Sequence, residues 1–169
     1  HRDLKTSNVL LTERGEAVLA DFGLAAAVGA MDAPTGGSPF SMSPQQLDGA
    51  APAASDDVYA LGLLPCELAT GYPPFYPDAR PERVRNEVPA GIDPRHAVPE
   101  PLAQLVLRCL AKRPEDRPRE MAGVAVELGA MAQGLGQEPT RAPAASVTLR
   151  PPSAADGAID PQWRRPVAA

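Results

Sequence analysis

Long apolar runs are missing from this sequence. Nowhere do its 169 residues approach the roughly 18 consecutive apolar positions that a bilayer-spanning helix needs, so no membrane span is expected. No signal peptide is recognisable, and the chain does not begin with methionine. The expectation is a cytoplasmic protein, or the cytoplasmic part of a larger one. Basic charge is in deficit too. Sixteen Lys and Arg against 21 Asp and Glu give a net charge of −5, which offers no support for a nucleic-acid partner. Cysteine is scarce: Cys66 and Cys109 both fall in apolar helical runs and read as buried, reduced thiols. No internal repeat is found.

What is present is a globular composition, with 44% hydrophobic residues in a length that suits one domain. The 21 prolines are unevenly placed. From Gly134 onward Pro139, Pro143, Pro151, Pro152, Pro161 and Pro166 punctuate an alanine-rich stretch with few large apolar residues. That composition predicts a folded domain over 1–133 and a disordered tail over 134–169.

The densest chemistry lies at the start, in His1-Arg2-Asp3-Leu4-Lys5-Thr6-Ser7-Asn8 and the later Asp21-Phe22-Gly23. A carboxylate such as Asp3 can take the proton of a hydroxyl nucleophile. Lys5 can neutralise charge on a transferring phosphoryl group, and Asn8 and Asp21 offer the hard oxygen ligands that Mg²⁺ prefers. Between the clusters, Val9-Leu10-Leu11-Thr12 and Ala17-Val18-Leu19-Ala20 flank Glu13-Arg14-Gly15-Glu16. This pattern predicts a small β-hairpin over 9–20 that holds the two clusters side by side.

The order H-R-D-L-K-x-x-N, a hairpin, then D-F-G resembles the catalytic core of eukaryotic-type protein kinases, here of bacterial appearance. Lys5, two residues after the aspartate, resembles the serine/threonine branch; Thr6 departs from the proline common there. The resemblance implies a mainly α fold, the helical C-lobe of an α+β kinase domain with one small hairpin. It implies ATP-dependent phosphorylation of protein serine or threonine, with ATP and Mg²⁺ as cofactors and a protein substrate as partner. In that reading Asp3 positions the substrate hydroxyl and accepts its proton. Lys5 stabilises the γ-phosphate, Asn8 and Asp21 hold Mg²⁺, and Leu10 lines the floor of the adenine site. His1 and Phe22 stack on one another. The family's Gly-rich loop, phosphate-gripping lysine and paired glutamate lie upstream, in an N-lobe absent from these residues. The chain alone is therefore expected to be inactive.

Residues 24–42 fall where the family has its activation segment. The resemblance makes Thr35 the position for activating phosphorylation, Arg2 its pairing cation, and Ser38 a hydroxyl bridging Asp3 and Lys5. Gln45 replaces the glutamate that pairs with a buried arginine, here Arg117, so part of that staple is expected to be lost. Asp57 opens the motif Asp57-Val58-Tyr59-Ala60-Leu61-Gly62 and is implied to hold the catalytic-loop backbone. Val58, Leu61, Leu64 and Leu68 recur at helical spacing, with Ser55-Asp56 as N-cap, Gly71 as C-cap and a kink at Pro65. Helices are expected near 44–48, 57–70, 101–111 and 119–131, with a shortened one at about 81–88. Gln45, Pro65 and the thin 76–99 region favour a non-catalytic kinase-like interaction module; the intact Asp3, Lys5, Asn8 and Asp21 favour the enzyme. The sequence leaves oligomeric state open.

Overall fold

Valine and leucine on both sides of a glycine turn give the first element. In the computed structural model, which describes residues 1–22, 38–89 and 91–134, Val9–Leu11 (β1) and Ala17–Leu19 (β2) pair antiparallel, with Val9 opposite Leu19 and Leu11 opposite Ala17. Gly15 takes the positive φ of 79° that this turn demands and donates to the Thr12 carbonyl at 2.8 Å. The expectations for Gly23, for the loop 24–37 including Thr35, and for the tail beyond Gly134 lie outside the described residues.

The rest is helical among the described residues. The helices are Pro44–Leu47 (α1), Ala54–Thr70 (α2), Pro81–Asn86 (α3), Glu100–Cys109 (α4) and Met121–Gly134 (α5). The mainly α architecture with one hairpin is the expected one, and the short α3 matches the thin region foreseen. No helix among the described residues is long and apolar enough to cross a membrane.

The start of α2 differs from expectation. It begins at Ala54, before Ser55-Asp56. The Asp56 carboxylate turns back to accept the Ala53 N–H at 3.0 Å, so it satisfies an orphan donor from inside the first turn. The helix runs on through Pro65, which lines an apolar cavity of about 30 Å³ together with Leu61, Leu102, Leu105 and Leu128. The stripe Val58, Leu61, Leu64 and Leu68 is buried only in part, with Leu61 and Leu64 half-buried. Leu68 is 75% exposed, whereas Tyr59, Leu63 and Cys66 join Val58 in the interior. A helix apolar nearly all round has two stripes at the same spacing, and only its neighbours choose between them.

Those neighbours form two clusters on α2. Tyr59, Leu63 and Cys66 meet Phe75, Val84, Val106 and Leu110. Val58 meets Leu105, Cys109 and Val124. The predicted apolar stripe of α4 (Leu102, Leu105, Val106, Cys109, Leu110) is the face that packs. Gly71 ends α2 with φ 83°, donating to the Glu67 carbonyl at 2.8 Å. The core thus supports the hairpin and its polar cluster from below through α2.

Candidate active site

Asp3 is buried, and its two oxygens differ. Oδ2 accepts from Lys5 Nζ at 2.6 Å and from Asn8 Nδ2 at 3.2 Å. Oδ1 has no partner. A buried carboxylate oxygen without a donor costs free energy, so one acceptor at this site stands ready for an incoming hydroxyl. Lys5, only partly exposed, lies against the same carboxylate.

Asn8 donates a second time, to the Asp3 carbonyl at 2.7 Å. With its NH₂ committed to Asp3, its amide oxygen is the end left for a hard cation. The hairpin brings the other expected ligand near: Ala20 lies across from Asn8 and its N–H donates to the Asn8 carbonyl at 2.8 Å, and Asp21 is the next residue. Asp21 is exposed and adopts φ 59°. Leu10 is 55% exposed and faces Val18 across the pair, so the two side chains make an exposed apolar step on the hairpin.

His1 ties the two clusters together. Asp3 N–H donates to its Nδ1 at 3.3 Å, which turns Nε2 toward the Ala20 carbonyl at 3.0 Å. Its ring meets Phe22 with centroids 4.6 Å apart, tilted by 58° instead of parallel. Asp57 accepts from the nitrogens of His1 at 2.7 Å and Arg2 at 2.8 Å. Arg2 has φ 72°, so Asp57 holds a strained stretch of backbone just before the catalytic-loop carboxylate.

Gln45 and Arg117 meet, with a refinement. Arg117 is buried and spends all three nitrogens: Nε on the Ala111 carbonyl, Nη1 on that of Ser55, and Nη2 on Gln45 Oε1 at 2.6 Å. The amide also donates from Nε2 to the Lys112 carbonyl at 3.0 Å, which a carboxylate cannot do. The expected loss is offset by a second bond. Burial pulls the Arg117 pKa down, and the nearby Asp56 carboxylate pulls it back up. The Ser38 carbonyl accepts from Ser41 N and Oγ, and Asp3 and Lys5 bond directly.

The Protein kinase domain family matches residues 1–127, three quarters of the chain. The chain belongs to this family. Similar proteins include the serine/threonine-protein kinase PkaA of Streptomyces coelicolor, 36% identical over 148 residues that cover 80% of this chain and 26% of the relative. PknL of Mycobacterium tuberculosis is 37% identical over 153 residues, covering 85% of this chain and 38% of PknL. Serine/threonine-protein kinase A of Synechocystis is 36% identical over 134 residues, covering 72% and 26%. The chain therefore spans well under half the length of these relatives.

Sequence reasoning missed Ser43, Gln46 and Lys112 in this kinase-family site. The signal for two of them was legible, since Ser43-x-x-Gln46 spells a capping box. Lys112 carried no signal, because its role comes from elements far away in the chain; Asp56 was read as a cap of α2, and only its bond to Ser43 was not foreseen.

Proposed function

We propose that residues 1–133 are the lower lobe of a cytoplasmic serine/threonine protein kinase that transfers the γ-phosphate of ATP to a protein hydroxyl. Residues 134–169 fall outside this domain. The observation that carries the reading is the unpartnered Oδ1 of buried Asp3, whose other oxygen is bonded to Lys5.

In this reading a substrate hydroxyl donates to Oδ1, and Asp3 takes its proton as the oxygen attacks phosphorus. Lys5, within reach of the same place, neutralises charge on the transferring group. Asn8 through its amide oxygen and Asp21 through its carboxylate would hold magnesium, a hard cation that keeps few protein ligands. Magnesium, when bound, supplies charge neutralisation on the triphosphate. The Leu10–Val18 step suits the face of an adenine ring.

The test is Asp3→Asn in the full-length gene product. Phosphate incorporation into a generic protein substrate should fall by about 10²–10⁴-fold, while nucleotide affinity stays within about twofold on the same positional argument. Equal turnover by the wild type and the variant refutes the assignment. An inactive wild type that still binds a protein partner favours the interaction module instead.

A further inference from the structure

Arg2, the residue before the proposed base, has its two backbone polar groups held from opposite sides. Asp57 on α2 accepts its N–H at 2.8 Å. On the other side, Gln46 Nε2 on α1 donates to its carbonyl at 3.1 Å. Its φ of 72° is a conformation that a non-glycine residue keeps only where the surroundings over-determine it.

The two grips are joined into one circuit. Gln46 Oε1 accepts from Ser43 N–H at 3.0 Å, and Gln46 N–H donates to Ser43 Oγ at 3.1 Å, closing the capping box of α1. Ser43 Oγ donates onward to Asp56 Oδ1 at 2.7 Å. Asp56 is the neighbour of Asp57 in the first turn of α2. The path therefore runs from the Arg2 carbonyl through Gln46, Ser43, Asp56 and Asp57 back to the Arg2 N–H. Ser43 and Asp56 are fully buried, which makes each missing bond costly.

We propose that Gln46 is a positioning residue for phosphoryl transfer: its side chain clamps the Arg2 carbonyl and so sets the Asp3 carboxylate, tying the catalytic loop to the end of the segment that enters α1. The inference rests on the kinase reading above. Gln46 uses both ends of its amide at once. The oxygen serves the helix cap, and the nitrogen serves the catalytic loop. No other natural side chain of its length does both.

This division supplies the experiment. Gln46→Glu keeps an acceptor for Ser43 N–H, as capping boxes commonly do, but sets an acceptor against the Arg2 carbonyl. Gln46→Met loses both. Three measurements are made: thermal unfolding of the 169-residue chain, the ¹³C shift of the Arg2 carbonyl in it, and steady-state kinetics of the full-length gene product. For Gln46→Glu we expect an unfolding midpoint near wild type, a shifted Arg2 carbonyl resonance, and kcat lowered about tenfold with KM for ATP unchanged, the pattern of a lost transition-state alignment. Gln46→Met should lower midpoint and kcat together. An unmoved carbonyl resonance, or unchanged kcat in Gln46→Glu, overturns the clamp. A midpoint that falls as far in Gln46→Glu as in Gln46→Met reduces Gln46 to a structural cap. If the wild-type gene product transfers no phosphate, the kinase reading fails, and the carbonyl resonance alone decides whether the clamp exists.

Discussion

Gln45 shows how much one atom decides at the scale of a residue. Its Oε1 accepts from Arg117 and its Nε2 donates to the Lys112 carbonyl. Substituting glutamate adds charge to the first contact, where bonds to charged groups contribute about 1.5–3 kcal/mol. It also removes the second bond and turns a carboxylate oxygen toward a carbonyl. The two effects nearly cancel, the more so because Asp56 already supplies negative charge to Arg117. Gln45→Glu should therefore leave stability within about 1 kcal/mol of wild type, whereas Gln45→Leu should lose about 1–3 kcal/mol. Urea denaturation of both variants measures this. A large gain from glutamate would show that charge, not the paired amide, limits the staple. The pairing of 45 with 117 was legible through the family motif. The compensating Lys112 bond was not, because a carbonyl carries no sequence signal.

At the scale of elements, the approach of α2 to α4 depends on Gly62. A Cβ at this position would lie 2.7 Å from Cys109 Cβ and 3.0 Å from Leu110 Cγ. Those are core atoms of a packed helix, so they have little room to give. Alanine in a helix interior gains up to about 1 kcal/mol over glycine, but overpacking a core costs about 1–3 kcal/mol. Gly62→Ala should destabilise by about 1–2 kcal/mol on these figures, seen as a lower urea midpoint. A midpoint raised by the substitution would mean that the helices separate easily. The same interface explains why the apolar stripe of α4 names its packed face and that of α2 does not. Helix α4 has polar residues between its apolar ones; α2 has apolar residues on nearly every side, so its period names a helix without naming its buried face.

At the scale of the whole molecule, buried titratable groups set the alkaline limb of stability. Burial, with help from Arg117, lowers the Lys112 pKa from 10.5 to about 8, against Glu87. The unfolded chain then binds more protons than the folded one above about pH 8, so stability rises with pH there. Burial does the opposite to the thiols, raising Cys66 and Cys109 from 9.0 to about 11. Above their unfolded value the folded state holds protons that the unfolded chain releases, and stability falls. Buried Tyr59 is pushed far above its usual value and steepens the fall. Stability should peak near about pH 9. Lys112→Met should abolish the rise below the peak, and alanine at both cysteines should soften the fall above it. A monotonic fall from pH 8 in the wild type would contradict the assignment to Lys112.

By itself the sequence determined the helices, the hairpin, the paired polar clusters and the family, because periodicity, turn glycines and short motifs are local signals. His1-Arg2-Asp3 and Asp21-Phe22 are near one another in the chain, and the intervening hairpin is sufficient to align them. Tertiary structure alone decided which face of α2 is buried and what holds Arg2 in a left-handed conformation. It also decided that Gln46 and Asp57, 11 positions apart, hold the two peptide units that flank the Arg2 Cα. The physical reason is the same in each case. A hydrogen bond to a backbone carbonyl, or the choice between two apolar faces, depends on where a distant element lies, and no residue type announces that position.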